Sequence, residues 1–181
     1  TLDGKPMDSM TFESMKEASD FVKRYEDVDE IQVMGNTNYA AQYIQKHFPN
    51  KIDYAPKLLR IANFDIEVAS DDGFPHAAEA LHPIVSIALK SSKSNVYHVW
   101  GLGEYDHEKT PHKHLIIQYR KCKSEIELMA KFLEHWRNDY PDIITGWNIR
   151  FFDIPYIVNR LARIGSDKAV KAMSPWGLVN E

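Results

Sequence analysis

The sequence has few cysteines, no long apolar runs and no excess of positive charge. Its 181 residues include one cysteine, Cys122, which excludes an internal disulfide framework. No apolar run approaches the roughly 18 residues that a membrane-spanning helix needs. The net charge of −4 argues against a protein that holds duplex DNA on a broad basic surface, although a metal-dependent enzyme is still allowed. With 44% hydrophobic residues, the chain is expected to be a globular, intracellular protein.

The hydrophobic pattern changes near residue 58. Before it, apolar side chains recur at helical spacing over residues 11–27 and 37–48, which predicts a small α-rich piece. After it, strand and helix patterns follow one another. Strands are predicted at 59–69, 83–89, 95–102, 114–120 and 142–149, and helices at 125–140 and 152–165. We therefore predict an α/β fold, a mixed sheet flanked by helices, and the length suggests one domain or one domain with an appended fragment.

Local signals predict the ends of the later helices and the faces they bury. Ser124 and Glu127 have the spacing of a capping box, and Gly165 is placed to end the last helix. The side chains expected in the core from this half of the chain are Ile126, Met129, Phe132, Leu133, Trp136 and Trp147. Short connections between the first strands predict antiparallel neighbours.

Two acids interrupt the first predicted strand, in the segment "NFDIEVA". Asp65 and Glu67 are two residues apart, so both side chains point to one face of the strand. Like charges at this spacing are costly when partly buried, unless they are protonated, hydrogen-bonded or bridged by a cation such as Mg²⁺. The alternative is a polar strand face that meets solvent. The same D-x-E spacing at Asp106 and Glu108 lies in a polar loop, which we interpret as solvated surface.

A second motif, "GWNIRFFDIPY", follows about 85 residues later. Asn148 is predicted to end a strand, and Phe152 and Asp153 to open a helix. Asp153 could serve only as the helix N-cap. If the two strands are neighbours, however, Asp153 lies near Asp65, and three carboxylates converge. Such a cluster suits two-metal hydrolysis of a phosphodiester.

Taken together, the two motifs make the sequence recognisable. "FDIEVASDDGFP" with the later "HPI" closely resembles the first exonuclease motif of family B DNA polymerases, and "TGWNIRFFDIPYIVNR" resembles the second. These two segments are most similar in sequence to those of T-even-like bacteriophage replicative polymerases. Residues 1–57 resemble the end of that family's N-terminal domain, and 58–181 the first part of its 3′–5′ exonuclease domain. The resemblance implies an RNase H-like fold and a proofreading role, in which mispaired 3′ ends of single-stranded DNA are hydrolysed.

The resemblance also implies roles for the acidic residues. Asp65, Glu67 and Asp153 would be the catalytic, metal-binding carboxylates of a site that uses two Mg²⁺ or Mn²⁺ ions. Glu67 would also lie near the attacking water, and Asp153 would hold the second ion or reach it through water.

Three further residues are expected to bind the substrate. Asn148 and Phe152 would shape the groove for the single strand, by their match to the second motif. Phe74, in "DGFP", is a candidate to stack on the terminal base, a sequence-tolerant way to hold a frayed end. Alternatively, Phe74 is a loop aromatic that covers the core.

The sequence departs from the family pattern in one respect. The third exonuclease motif, Y-x-x-x-D, is absent, because the only aspartate among the 28 residues after Asp153 is Asp167, with Arg163 rather than tyrosine four positions earlier. The polymerase domains are absent too. The chain starts at Thr1, not at a methionine, so we interpret it as a piece of a longer protein. We expect this piece to be weakly active or inactive as a nuclease by itself.

The resemblance implies partners and a location for the parent polymerase. These are a primer-template, and a sliding clamp and other replisome proteins that contact regions outside this sequence, with no membrane partner. The expected location is the host cell cytoplasm.

Two other functions fit the same residues. One is a different RNase H-like exonuclease that acts on RNA or nucleotides, and the other is a non-catalytic scaffold. A zinc site at His107, His112 and His114 is the weaker interpretation of that loop, because no cysteine lies nearby and charged residues surround it.

Overall fold

The computed structural model describes residues 4–29, 31, 33, 38–53, 55–71 and 73–179. The chain forms two compact units, Thr1–Tyr54 and Ala55–Glu181. The division follows residue 54, whereas the sequence places the domain boundary after residue 57. The assignment of the first unit to a polymerase N-terminal domain stays a prediction.

The first unit contains two short helices, as the apolar spacing predicts. Helix α1 spans Met15–Tyr25 and helix α2 spans Tyr39–His47. Each begins with a side-chain cap: Ser14 Oγ accepts the N–H of Glu17, and Asn38 Oδ1 accepts a backbone N–H in the first turn of α2.

The second unit is built on a five-stranded sheet. Its strands are β1 Ile61–Val68, β2 Ile84–Ser91, β3 Val96–Gly101, β4 Ile116–Lys121 and β5 Ile143–Thr145, in the order β4-β3-β2-β1-β5. The pairs β1/β2 and β2/β3 are antiparallel, and the pairs β3/β4 and β1/β5 are parallel. The predicted mixed α/β sheet is confirmed. Strand β1 therefore has a neighbour on each side, and its parallel neighbour leads into the second motif.

Three helices complete this unit. They are α3 Glu125–Asn138, α4 Asp153–Ile164 and α5 Asp167–Lys171, and 3₁₀ turns lie at Pro56–Leu58 and His107–Lys109. Ser124 caps α3 by accepting the N–H of Glu127, and Gly165 ends α4, as predicted. None of the helices that the structure describes combines the length and apolar character needed to cross a bilayer.

The core lies between the sheet and helices α3 and α4. On β1, Phe64 and Ile66 are buried, whereas the alternate residues Asp65 and Glu67 are exposed on the opposite face. The Phe64 ring packs against that of Phe132 from α3, with 5.6 Å between centroids. One face of β1 is therefore fixed by the core, and the other is left free for chemistry.

Two predicted core positions are wrong. Ile126 is 66% exposed, and the buried stripe of α3 uses Leu128 instead. Ile126 lies in the first turn of α3, outside the stripe of buried residues. Trp147 is 92% exposed, because β5 ends at Thr145 and Trp147 lies in the turn that follows.

Two histidines meet where α3 packs on β3. The rings of His98 and His135 lie 4.4 Å apart between centroids, and Arg120 from β4 approaches His98 Nδ1 to 3.2 Å. Burial is the main cause that lowers the pKa of both histidines, and the positive charge of Arg120 lowers it further. Gln118 opposes the shift at His98 and Asp139 opposes it at His135. The fold therefore favours neutral rings at this contact.

We predict that the chain loses stability as the pH falls below the ordinary histidine pKa of 6.5. In that range the unfolded chain binds protons that His98 and His135 resist in the folded state, so acid favours unfolding. Thermal unfolding measured from pH 7.5 down to pH 5 should show the loss, and His135→Gln should make the curve flatter. An equally steep curve for His135→Gln would contradict this assignment.

Candidate active site

The first motif places its acids on an open stretch of β1. Strand β5 pairs with β1 only as far as Thr145 opposite Asn63, so β1 continues past the end of its parallel neighbour. Asp65 and Glu67 follow on this stretch, both exposed on the face that points away from the core. On the other side, the pairing of β1 with β2 shifts register just after Glu67. The predicted shared face of the two acids is confirmed.

The second motif docks a third acid on the same stretch. The backbone N–H of Ile66 donates to Asp153 Oδ1, with 3.1 Å between nitrogen and oxygen. Asp153 is the first residue of α4, and Phe152 is the N-cap. The interpretation of Asp153 as only an N-cap is therefore wrong. Its side chain instead holds the start of α4 against β1, just beyond the end of β5.

The environment of Asp153 penalises its negative charge. The residue is 3% exposed, and this burial is the main cause that raises the pKa of the Asp153 carboxyl. The N–H of Ile66 and that of Asp153 itself oppose the rise, whereas the charge of Asp65 adds to it. A nearby divalent cation would reverse this penalty, and carboxylate oxygens are the ligands that Mg²⁺ and Mn²⁺ prefer. The chemistry of these side chains fits such an ion.

The structure does not bring all three acids into one cluster. Within the described residues, no group of three metal-ligating side chains lies close enough together to hold an ion. Asp65 and Asp153 interact electrostatically. Among the charges that raise the pKa of the Asp153 carboxyl, Asp65 contributes and Glu67 does not.

The second D-x-E copy has a local role. Asp106 Oδ1 accepts the backbone N–H of Glu108 at 3.0 Å and starts a 3₁₀ turn, and its other oxygen pairs with Lys109 at 3.5 Å. Both acids of this copy are exposed. The two D-x-E pairs therefore share a sequence spacing, but the first lies on strand β1 and the second at a 3₁₀ turn.

Asn148 lies in a turn, not at the end of a strand. Strand β5 stops at Thr145, three residues before the predicted position, and Asn148 has a left-handed backbone with φ of 54°. Asparagine tolerates this conformation better than most residues. The Asn148 carbonyl accepts the N–H groups of Phe151 and Phe152, at 3.0 and 2.9 Å. These bonds close the turn that delivers Asp153 to β1.

The two predicted aromatic contacts lie side by side. The rings of Phe74 and Phe152 are 4.5 Å apart between centroids, and Phe152 also contacts the buried Tyr156. Phe74 is 73% exposed, so it leaves most of its surface open instead of covering the core. A cavity of about 110 Å³ lies beside it, lined by Ser70, Phe74, Pro75, His76, Glu79, Leu81 and His82.

Helix α4 also holds the loop that carries Phe74, through contacts that the sequence analysis missed. Four of its side chains hydrogen-bond to backbone groups of residues 77–82; these are Tyr156, Asn159, Arg160 and Arg163. The sequence contains a signal for the role of Arg160, because this charged residue lies next to Leu161 on the apolar side of α4. A cation at such a position needs a buried partner.

That partner is Glu125, at the start of α3. Arg160 donates two parallel bonds to it, Nε to Oε1 at 2.8 Å and Nη2 to Oε2 at 2.7 Å. Arg160 Nη1 donates to the carbonyls of Ala80 and Leu81, and Glu125 Oε1 also accepts the N–H of Ile84. Only about a tenth of each side chain is exposed. The pair thus joins both helices to the loop and to the first residue of β2.

Comparison with known families identifies the class of domain. Residues 10–178 match the family model described as DNA polymerase family B, exonuclease domain. The chain belongs to this family, as the two motifs predict.

Individual relatives include two phage polymerases. The chain is 32% identical over 192 residues to a DNA-directed DNA polymerase of Escherichia phage RB69, with 95% of this chain and 21% of that protein covered. It is 31% identical over 196 residues to one of Enterobacteria phage T4, with 97% and 22% covered. The chain thus spans about a fifth of the length of these relatives. A solved family B DNA polymerase from Pyrobaculum calidifontis is 26% identical, with a TM-score of 0.42 over 60% of this chain and 11% of that one.

We predict that Arg160→Ala destabilises the chain by about 3 kcal/mol, because it leaves the Glu125 carboxylate buried without its cation. Urea unfolding measures the change. Arg163→Ala, on the same helix but exposed and hydrogen-bonded to the Glu79 carbonyl, is the matched control and should cost less than about 1 kcal/mol. Equal losses for the two variants would contradict the importance of the buried pair.

Gly146→Ala tests the close approach of the second motif to β1. An added Cβ would clash with the backbone carbonyl oxygen of Phe64, so the chain after β5 must move away from β1. We predict a loss of about 1–3 kcal/mol in urea unfolding, together with a shift of the Ile66 amide NMR signal. Gly103→Ala is the control, because an added Cβ there has no atom within 4 Å. Similar behaviour of both variants would contradict the steric argument.

Proposed function

We propose that this chain carries the first two parts of a 3′–5′ exonuclease site, which removes nucleotides from the 3′ end of single-stranded DNA by metal-dependent hydrolysis. The bond from the Ile66 N–H to Asp153 Oδ1 carries this proposal. It fixes the acid of the second motif beside the strand that bears the acids of the first. The membership of the family B exonuclease domain supports the same assignment.

Asp65, Glu67 and Asp153 would hold Mg²⁺ or Mn²⁺ in this site. When bound, the ions supply an activated water and stabilise the leaving oxygen. The N–H of Ile66 fixes one Asp153 oxygen in place, and a carboxylate that accepts such bonds still has lone pairs to offer to an ion. Asp65 and Glu67 are exposed, so their side chains are able to change rotamer toward an ion. Glu67 would lie beside the attacking water.

The substrate contacts follow from the two aromatic rings. Phe74 is open to solvent and rests on Phe152, so it can stack on a terminal base while Phe152 supports it from below. Stacking of this kind accepts any base, as removal of an arbitrary mispaired nucleotide requires. Asn148 would set the path of the strand through the shape of its turn.

We propose that these 181 residues bind one ion weakly and cleave DNA poorly by themselves. No Y-x-x-x-D motif follows Asp153 in this sequence, and that motif would supply a fourth carboxylate and a tyrosine to position the water. DNA synthesis, primer-template binding and contact with a sliding clamp are proposed for a longer parent polymerase, in regions that this chain does not span.

A titration with Mn²⁺ followed by NMR tests the metal site. The paramagnetic ion should broaden the amide signals of Ile66 and Asp153 first. Asp153→Asn keeps the hydrogen bond to Ile66 but removes the charge, so the broadening should require roughly tenfold more Mn²⁺. The control is Asp106→Asn, in the solvated D-x-E copy, which should leave the titration unchanged. The absence of any broadening localised at Asp65, Glu67 and Asp153 would instead favour a non-catalytic scaffold.

A cleavage assay on single-stranded DNA labelled at its 3′ end tests the incomplete site. With Mg²⁺ or Mn²⁺ we expect little or no release of the labelled nucleotide. Robust release that Asp65→Ala abolishes would show that the site is complete without the third motif. Robust release from an RNA strand only would favour the alternative exonuclease.

A further inference from the structure

The turn before α4 exposes side chains that have no role in the proposed hydrolysis. Trp147 is 92% exposed and Phe151 is 73% exposed, and Arg150 between them is also exposed. We call these three residues the outer turn patch. Large aromatic side chains grouped at the surface mark interaction sites more often than isolated ones do.

The turn itself is well ordered by its other residues. Ile149 packs against the core, and Phe152 contacts Phe74 and Tyr156. The N–H of Phe151 donates to the Asn148 carbonyl at 3.0 Å. The exposure of the patch therefore belongs to a fixed backbone, because Ile149 and Phe152 anchor the same turn to the fold.

Arg150 gives the outer turn patch a free positive charge. Its guanidinium carbon lies 5.6 Å from the centre of the Phe151 ring, within the range of a cation–π contact. Among the described residues, no carboxylate forms an ion pair with it, although Asp153 is only three positions along the chain. A cation beside an acidic site, in contact with an aromatic ring and in no ion pair among the residues that the structure describes, is suited to a phosphate.

We propose that the outer turn patch binds single-stranded DNA beside the candidate active site, with Phe151 stacked on a base and Arg150 paired with a backbone phosphate. This inference rests on the proposed function, since it extends the path of the same strand. Three acids and a net charge of −4 repel a polyanion, so a local cation is needed to hold it. Aromatic stacking adds affinity without sequence preference. A protein partner would give Arg150 a carboxylate instead of a phosphate.

Fluorescence anisotropy with a labelled twelve-nucleotide oligothymidylate, in EDTA so that neither metal nor cleavage contributes, tests the proposal. Phe151→Ala should weaken binding roughly tenfold and leave the salt dependence unchanged. Arg150→Ala should also weaken binding, and should reduce the slope of log K against log salt by about 0.7, the value of one lost phosphate contact on a single strand. A merely structural role for either residue would not separate affinity from salt dependence in this way.

Two exposed residues away from the turn provide matched controls. Arg137→Ala, at the end of α3, and Trp176→Ala, 82% exposed, should bind the strand like the unchanged chain. Unaltered binding by Phe151→Ala and Arg150→Ala, or no binding by the unchanged chain, would overturn the inference. So would sedimentation data in which the patch residues change self-association and not DNA binding.

The same variants separate this inference from the proposed function. Phe151→Ala should keep the Mn²⁺ titration of the unchanged chain, since it removes no ligand. A normal metal titration with unaltered strand binding would defeat the inference alone, whereas loss of the localised Mn²⁺ effect in the unchanged chain would defeat the proposed function.

Discussion

The buried pair between Arg160 and Glu125 is the interaction on which the second unit depends. It links the start of α3, the middle of α4, two carbonyls of the loop before β2 and the first N–H of β2 itself. Each charge satisfies backbone groups that would otherwise be buried without partners, so neither can be replaced alone. Because α4 also begins with Asp153, the pair sets the position of the helix that delivers an acid to β1.

The side chains of β1 alternate between the core, where they stabilise the fold, and the exposed face, where they are available for chemistry. Phe64 and Ile66 face the core, and Asp65 and Glu67 face outward, on a strand held by neighbours on both sides. The early end of β5 then leaves an N–H of β1 open, and Asp153 occupies that position. The shortness of β5 therefore matters for the site, because a longer β5 would pair with Ile66 and exclude the Asp153 side chain.

Much of this could be predicted from the sequence, because the signals are local. The strands, the cap at Ser124, the end at Gly165 and the shared face of Asp65 and Glu67 all follow from periodicity and turn chemistry. The predictions from the sequence are wrong or incomplete where a contact between distant parts of the chain determines the structure. Trp147 is apolar, but it lies past the end of β5 and is exposed. The partner of Arg160 is 35 residues away in the chain, so no local spacing rule connects the two charges. The exact convergence of the acids depends on such contacts too, and it stays a prediction.

The bond between Ile66 and Asp153 spans 87 residues, and this has a consequence for folding kinetics. We expect a contact of such sequence separation to form late in folding, because the entropy of closing the intervening chain opposes it. The repulsion between Asp65 and Asp153 therefore arises only when most of the core is already in place to oppose it. During folding, β1 can pair and bury its apolar face as an ordinary strand, and the electrostatic strain of the site is imposed at the end.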